Sequence, residues 1–390
     1  MPNEVTIGSV SVPGRGGVFS ITLRDGHIAA IRAAGHAGEA AWLALPGLVN
    51  LHAHADRAYT LAATGRPAHP HSLATAVAAA AEARAAFTAA DVQARATRLF
   101  ERSLAHGVTR IRTHTDVDPI VALRSMEGVL AAKQAMAGKI DVDIIAFSTS
   151  KNDLGEPDGI ARLRDAVGLG ASLIGASLGA TADPPRALAA LLDLAEQTGL
   201  PLDIHLDEHL EPHQMLAGTV ADAIMARGLQ GSVTLSHLCV LATLNEKIAG
   251  ELIHKLKRAE VTVVALPETN LFLQDRGEGG PTRRGITLVR ELIAAGIPVR
   301  LGTDNVQDWF FPYGDADMLD TALFATVATH LDDESGLIAA ICDGRNTIAE
   351  GDPADLVLIR AASFDDALAR RPAERTVFKA GRQVAGPARV

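Results

Sequence analysis

The amino-acid sequence predicts an α/β fold built around a (β/α)8 barrel, with a smaller β domain beside it. Three observations support this architecture. Strand-like segments alternate with helical segments in the middle of the chain, the strand-like segments number eight, and both chain ends carry β patterns. Such alternation indicates a parallel sheet, and eight strands are the number that closes a barrel. A chain of 390 residues accommodates a barrel and a small accessory domain.

Both chain ends contain short segments in which strand-forming residues alternate with polar ones. Residues 5–33 hold several such segments, and the Asp-Gly pair within residues 24–27 is typical of a hairpin turn. The C-terminal segments repeat this pattern. We therefore predict one β domain made from residues 1–46 and 349–390, and a barrel made from residues 47–348.

The barrel strands are predicted from apolar segments separated by longer helical ones. These segments cover residues 45–49, 109–113, 141–147, 173–176, 202–205, 233–236, 261–265 and 299–302. Helices are predicted between them, including one long helix over residues 72–105. An open, doubly wound sheet is the alternative. That fold usually carries a G-x-G-x-x-G turn after an early strand, and this sequence has none in such a place.

Composition excludes several classes of protein. The formal net charge is −10 and no cluster of Lys and Arg exceeds short pairs, which argues against a nucleic-acid partner. No apolar run is long enough for a membrane span. Two cysteines are too few for a disulfide framework, and the N-terminus lacks a secretory pattern. We expect a cytoplasmic protein with a small-molecule substrate. The sequence leaves open whether it forms a homo-oligomer.

Two histidines end the first barrel strand. His52 and His54 follow an apolar run and are separated by one residue. Alternate residues of a strand point to the same side, so this segment directs two imidazoles toward one point. That arrangement is half of a metal site.

Further histidines and carboxylates follow the other predicted strands. In a barrel of this kind, functional side chains lie at the carboxyl ends of the strands. A single histidine there is more often a hydrogen-bonded core residue, but this sequence has five at strand ends. Three His and one Asp with an open position suit a hydrolytic Zn²⁺ or Fe²⁺ site. The residues at the other strand ends are His114, His205, Glu208, His237 and Asp304.

Two of these residues suit acid–base roles beside a metal. Glu208 lies three residues after His205, within reach of a bound water, and is a natural proton shuttle. His237 could stabilise developing charge on oxygen or hold the attacking hydroxide.

Several ordered motifs resemble the amidohydrolase superfamily, in its cytosine-deaminase-like branch. The His-x-Asp-Glu and Leu-Gln-x-Arg motifs are the most specific, and the resemblance extends over nearly the whole chain. The matching segments are residues 46–54, 112–118, 205–208, 236–237, 270–276, 281–287, 303–314 and 351–357.

The resemblance implies a distorted (β/α)8 TIM barrel with a β-sandwich made from both chain ends. By position it implies that His52, His54, His205 and Asp304 bind the metal. It assigns proton transfer to Glu208 and orientation of the hydroxide to His237, with Asp304 also in a catalytic role. Binuclear members often carry a carboxylated Lys on the fourth strand. Residues 173–179 contain no Lys, so we expect one divalent metal ion, Zn²⁺ or Fe²⁺.

Departures from the cytosine-deaminase pattern concern the substrate contacts. Thr149 lies near the position of a Gln that reads the pyrimidine, and Asn305 replaces a second Asp. Because an Asn can also donate, we expect the polarity of one substrate contact to be reversed. The Asp304-Asn305 pair resembles N-isopropylammelide amidohydrolase, a triazine enzyme of this branch. That enzyme lacks the Glu that this chain carries as Glu208.

Four more residues are candidate substrate contacts with structural alternatives. Arg57 would place a cation at the pocket mouth, or it forms an ion pair with Asp56 or another barrel carboxylate. Trp309 and Phe310 either stack on a heterocycle or pack in the interior. His114 either contacts the substrate or contacts a metal-binding residue without touching the substrate or the metal itself.

The sequence favours a metal-dependent hydrolytic deaminase of a small nitrogen heterocycle of the pyrimidine, triazine or pterin class. The alternative is an amide, lactam or substituted-amine hydrolase on the same mononuclear metal site. A non-catalytic binding barrel would be expected to have lost ligands, and none is lost. The substituted positions Thr149, Asn305 and Arg57 argue that the substrate differs from cytosine.

Overall fold

The computed structural model describes residues 4–34, 40–66, 72–276 and 283–387. Residues 281–282, which belong to one of the sequence motifs above, lie outside these ranges. No helix within the described ranges is both long enough and apolar enough to cross a lipid bilayer.

Both chain ends contribute to one seven-stranded sheet, in the order β15-β14-β13-β4-β1-β2-β3. Among the described strand pairs of this sheet, only β1 and β4 are parallel. The inner face of this sheet packs around an apolar core of its own, which includes Ile7, Ile21 and Phe378. Its strands are β1 (Glu4–Val12), β2 (Arg15–Arg24), β3 (His27–Ala33), β4 (Trp42–Pro46), β13 (Leu356–Ile359), β14 (Arg375–Lys379) and β15 (Arg382–Ala385).

The middle of the chain forms the predicted barrel. Its eight strands follow one another in chain order, and each neighbouring pair is parallel. The fold class predicted from the sequence is therefore confirmed. The strands are β5 (Leu48–Ala53), β6 (Val108–Val117), β7 (Asp141–Ser148), β8 (Leu173–Ser177), β9 (Leu202–Leu206), β10 (Val233–His237), β11 (Thr262–Ala265) and β12 (Val299–Leu301).

The first and last strands meet where the barrel closes. Ala53 pairs in parallel with Asp304, whose amide donates to the carbonyl of His52 at 2.8 Å. A Cβ added to Gly302 would lie 2.6 Å from the Cβ of His52, so only glycine permits this approach. Barrel closure thus brings a residue from position 304 beside residues from positions 52 and 54.

Helices follow the barrel strands and cover the sheet, as expected for this fold. They are α1 (Leu61–Thr64), α2 (Leu73–Arg84), α3 (Ala89–Ala105), α4 (Arg124–Ala135), α5 (Pro157–Gly168), α6 (Pro184–Thr198), α7 (Ala217–Ala226), α8 (Glu246–Arg258), α9 (Pro267–Leu273), α10 (Val289–Ala294), α11 (Met318–Thr329) and α12 (Glu334–Ile341). A further helix, α13 (Phe364–Arg370), lies between β13 and β14 of the seven-stranded sheet.

One predicted helix is in fact two. The segment over residues 72–105 divides into α2 and α3, because Thr88 adopts an extended conformation and caps α3 by accepting from the amide of Asp91. Threonine is a favourable N-cap because its hydroxyl satisfies an amide that has no partner in the first turn. The break sets α2 apart as a short, separate helix.

The chain passes from the β domain into the barrel at Gly47, whose amide donates to the carbonyl of Asp355 at 2.8 Å. A Cβ there would overlap the side chain of Thr109. We propose the division at residues 1–46, 47–348 and 349–390, which agrees with the membership of the strands in the two sheets.

Candidate metal centre and active site

Four predicted ligands converge at the carboxyl end of the barrel. His52 and His54 lie on β5, His205 lies on β9, and Asp304 follows β12. The Oδ1 atom of Asp304 lies 3.5 Å from Nε2 of His52 and 3.3 Å from Nε2 of His54. The Nε2 atoms of His54 and His205 are 3.3 Å apart. Strands distant in sequence therefore bring the four side chains to one point.

The protonation states of these residues suit metal binding. Burial lowers the pKa of His52 and His205 well below the ordinary value, and it lowers that of His54, which Arg57 also faces, to about 3. Burial acts to raise the pKa of Asp304, but the facing His52 and His54 rings outweigh it and hold this pKa well below normal. Neutral imidazoles and an ionised carboxylate are the forms that bind Zn²⁺ or Fe²⁺.

Unpartnered polar atoms provide a test of whether a metal fits here. Nε2 of His52 and both carboxylate oxygens of Asp304 are buried and have no hydrogen-bond partner among the described residues. Buried polar atoms are rarely left unpaired, because desolvation then goes uncompensated. Two groups of potential ligand atoms, each within 4.8 Å, share His52 and together include all four predicted ligands. The residues fit a divalent ion.

Glu208 and His237 lie beside this cluster. Oε1 of Glu208 is 3.7 Å from Nδ1 of His237, and that nitrogen is 3.1 Å from Oδ1 of Asn270. Burial raises the pKa of Glu208, which favours a carboxyl group that can both take up and release a proton. His237 has a positive φ of 75°, a sparsely populated conformation for a non-glycine residue and one that is common at functional sites.

A cavity of about 250 Å³ opens above the cluster. Its walls include three of the predicted ligands, together with Glu208 and His237. They also include Arg57, Thr149, Asn305 and Phe310. An apolar face of α2, formed by Leu73, Val77 and Ala80, lines it as well. A cavity with apolar walls and a few convergent polar groups is the usual form of a small-molecule site.

Arg57 lies on the cavity wall and also forms an ion pair with a barrel carboxylate. The two alternatives from the sequence, a cation at the pocket mouth and an ion pair, therefore each describe part of its environment. Its Nε is 3.9 Å from Oδ2 of Asp116, and its guanidinium lies 4.9 Å from the centre of the Phe310 ring. A further nitrogen of Arg57 contacts Nδ1 of His54.

The hydroxyl of Thr149 is already engaged. It donates to Oδ2 of Asp118 at 2.8 Å and accepts from the amide of Lys151 at 3.2 Å. The residue lines the cavity, but little hydrogen-bonding capacity remains for a substrate.

Trp309 and His114 are not among the described residues that line the cavity. Trp309 is 2% exposed, and its indole donates to Thr64 at 3.1 Å. The packing alternative therefore describes it better than stacking. His114 is fully buried, with Nε2 3.2 Å from Oδ1 of Asp203, behind the predicted metal ligands.

The sequence analysis assigned no role to two residues of the site, Arg84 and Asp203. Arg84 reaches the cavity from α2 and forms ion pairs with Asp116 at 2.5 Å and Asp118 at 3.0 Å. No sequence signal marks it, since it lies on a helix and not at a strand end. Asp203 was detectable, because it precedes His205 by two residues and so shares its side of the strand.

The chain belongs to the amidohydrolase family. The model of that family matches residues 148–385, which is more than half of the chain. This family is divalent-metal dependent, in agreement with the His and Asp cluster. The protein is accordingly an enzyme that hydrolyses carbon–nitrogen bonds.

Three proteins of known activity are similar over most of their length. A pterin deaminase from Rhizobium rhizogenes is 31% identical over 355 residues, covering 87% of this chain and 80% of that protein. The structure of 5-methylcytosine deaminase from Klebsiella pneumoniae with 5-fluorocytosine has a TM-score of 0.89 at 25% identity, covering 99% and 98% of the two chains. N-isopropylammelide isopropylaminohydrolase from Burkholderia multivorans has a TM-score of 0.81 at 27% identity, covering 98% of each chain.

Proposed function

We propose that this enzyme removes an amino group from a small aromatic nitrogen heterocycle and releases ammonia. One observation carries the proposal: four buried ligand side chains meet at the base of a cavity, with Glu208 and His237 beside them. The similarity to a pterin deaminase and a 5-methylcytosine deaminase supports the reaction class. We further propose that the protein acts in the cytoplasm, where its two cysteines would stay reduced. The net charge of −10 supports a small-molecule substrate in place of a nucleic-acid partner.

His52, His54, His205 and Asp304 would hold one divalent ion, Zn²⁺ or Fe²⁺. A divalent ion bound there would lower the pKa of a coordinated water toward neutrality and so supply a nucleophile at pH 7. Strand β8 carries no Lys, which supports a single ion.

Glu208 takes a proton from the attacking water and delivers it to the ring nitrogen next to the amino-bearing carbon. The second proton passes to the amino group, the carbon–nitrogen bond breaks, and ammonia leaves a ring carbonyl behind. The raised pKa of Glu208 suits both directions of transfer. His237 orients the attacking oxygen, and Asn270 holds its ring in place.

The cavity favours a heterocycle with an exocyclic amine and a second apolar region. Nδ2 of Asn305 donates to Asp308 at 2.7 Å, and within the described residues its Oδ1 makes no hydrogen bond. That oxygen can accept from an amino group, as an Asp would. The apolar face of α2 can cover a second ring, so we favour a pterin over a single pyrimidine ring.

The Asp304-Asn305 pair supports a second candidate, the release of a substituted amine in place of ammonia. The similarity to N-isopropylammelide isopropylaminohydrolase agrees with this alternative. The presence of Glu208 favours the first candidate, since it supplies the proton shuttle that a deaminase needs.

The test is a panel of aminated pterins, pyrimidines, triazines and purines, incubated with the metal-loaded enzyme. We expect ammonia to appear with the pterins together with a product carrying a ring carbonyl. Release of an alkylamine from N-substituted triazines, without ammonia from any compound, would establish the second candidate. Ring-opened products would contradict both.

A further inference from the structure

A buried chain of hydrogen bonds connects His52 to a carboxylate deeper in the barrel. Nδ1 of His52 lies 2.9 Å from Oγ of Ser236, and that hydroxyl lies 3.1 Å from Oδ1 of Asp203. All three side chains are completely buried. Asp203 and Ser236 lie on adjacent strands, β9 and β10, where residue 236 pairs with residue 205.

Asp203 is anchored as an ionised acceptor. Nη1 of Arg112 donates to its Oδ2 at 2.9 Å, and His114 faces Oδ1 at 3.2 Å. The guanidinium supplies the positive charge that a buried carboxylate requires. An ionised carboxylate only accepts hydrogen bonds.

The direction of every hydrogen bond in the chain then follows. Ser236 has a single proton, and it donates this proton to Asp203. Its oxygen must therefore accept from His52, so the proton of the His52 ring resides on Nδ1. The lone pair of that ring is left on Nε2, which lies 3.5 Å from Asp304. This nitrogen is buried and has no hydrogen-bond partner in the part of the chain that the structure describes.

The other two ligand histidines have no such support. Nδ1 of His54 faces a nitrogen of Arg57, which is a donor. Nδ1 of His205 is buried without a hydrogen-bond partner among the residues that the structure describes. His52 is thus the ligand whose metal-binding tautomer the fold itself selects.

We infer that Asp203 and Ser236 are positioning residues that fix the Nδ1-protonated tautomer of His52 and thereby strengthen binding of the divalent ion. This inference rests on the proposed metal site. Partners behind metal-bound histidines generally act in this way, because they orient the ring and increase its basicity.

The test measures the affinity of the full-length, metal-loaded protein for Zn²⁺ by competition with a chromophoric chelator. Ser236→Ala is expected to weaken Zn²⁺ binding by roughly 10- to 100-fold, and Asp203→Asn is expected to weaken it as well. Ser236→Thr keeps the hydroxyl and is expected to retain affinity within about threefold, since the ordering of His52 is preserved.

Ser125→Ala provides the matched control. Ser125 is also a buried serine, on α4, and its hydroxyl has no hydrogen-bond partner within the described ranges. Its replacement should leave Zn²⁺ affinity unchanged. Should Asp203→Asn fail to fold, the Ser236 variants decide the question.

Unchanged Zn²⁺ affinity in Ser236→Ala, or an equal loss in Ser236→Thr or Ser125→Ala, would overturn the inference. A parent protein that binds Zn²⁺ with the expected order of variants, yet releases no ammonia from any heterocycle, would overturn the proposed function alone. A parent that binds no divalent ion would overturn both.

Discussion

Asn305 donates a hydrogen bond from Nδ2 to Oδ2 of Asp308 at 2.7 Å. The other oxygen of Asp308 accepts from the amides of Phe310 and Phe311 at 2.9 and 3.1 Å. Burial raises the pKa of Asp308 to about 6, although the charge of Arg57 opposes this. The loop after Asp304 is therefore organised around one carboxylate, which fixes the orientation of the Asn305 amide.

Asn305→Asp would place two carboxylates at this short distance. We expect kcat/KM to fall by about tenfold or more, since a loss of about 1.4 kcal/mol corresponds to a factor of ten. The double variant Asn305→Asp with Asp308→Asn exchanges donor and acceptor and should recover much of the loss. Steady-state kinetics of the two variants test this, and no recovery in the double variant would contradict the pairing.

Glu208→Gln should lower kcat by roughly 10²- to 10⁴-fold, because the amide cannot transfer protons. Metal content should not change, since Glu208 is not one of the proposed ligands. The matched control is Glu211→Gln, which alters an exposed carboxylate three residues further along and should keep full activity. Full turnover by a metal-loaded Glu208→Gln enzyme would show that Glu208 is not the shuttle.

Chelation of the metal should abolish activity and lower the unfolding temperature. An ion present at 100 times its Kd stabilises the folded state by about 2.7 kcal/mol, and this contribution would be lost. Re-addition of Zn²⁺ or Fe²⁺ should restore both properties, and the comparison identifies the better metal. Activity that persists after complete metal removal, measured by elemental analysis, would contradict the metal-dependent mechanism.

Gly302→Ala should disturb both the barrel seam and the metal site. The new Cβ would meet the Cβ of His52 at 2.6 Å and a methyl of Leu266 at 2.9 Å. Overpacking of this kind costs about 1–3 kcal/mol, and displacement of His52 should reduce bound metal. Gly250→Ala is the control, since nothing lies within 4 Å of its Cβ on helix α8. Its unfolding temperature should be equal or higher. Equal metal content and stability in both variants would refute this.

The buried carboxyl group of Glu268 should make the stability of the protein depend on pH. Burial raises its pKa from 4.5 to about 8, although a hydrogen bond from Thr321 at 2.9 Å opposes this. The folded state thus binds the proton of Glu268 more tightly than the unfolded state does. The contribution of this proton to the free energy of unfolding is therefore fully present below pH 4.5 and is lost as the pH rises toward 8. Each unit of difference between the pKa values of the folded and unfolded states corresponds to about 1.4 kcal/mol.

Glu268→Gln removes this titration and should flatten the decline in the free energy of unfolding between pH 5 and pH 8. Denaturant titrations at several pH values provide the measurement. Glu251→Gln, which changes an exposed carboxylate on α8, should leave the profile of the parent unaltered. An identical slope in Glu268→Gln would mean that another group is responsible.

The order of strands, the barrel and the convergence of the ligands could be predicted because they depend on short-range patterns. A period of two places His52 and His54 on one side of a strand, and parallel strands bring their carboxyl ends to one edge. The family resemblance implied which of the strand-end residues bind the metal, including His205 and Asp304. The break between α2 and α3 was missed, because a single capping residue, Thr88, outweighs the helical pattern of the segment around it.

The sequence by itself determined the fold class, since the strand and helix periodicities are local properties. Its motifs also determined the family resemblance, and that resemblance implied the residues proposed as ligands. Only the tertiary structure decided which polar atoms remain free for a substrate or a metal. The hydroxyl of Thr149 is engaged by Asp118, Trp309 packs against Thr64, and Asp203 lies behind His52. Hydrogen bonds of this kind join segments far apart in the chain, and their partners are fixed only when the barrel closes.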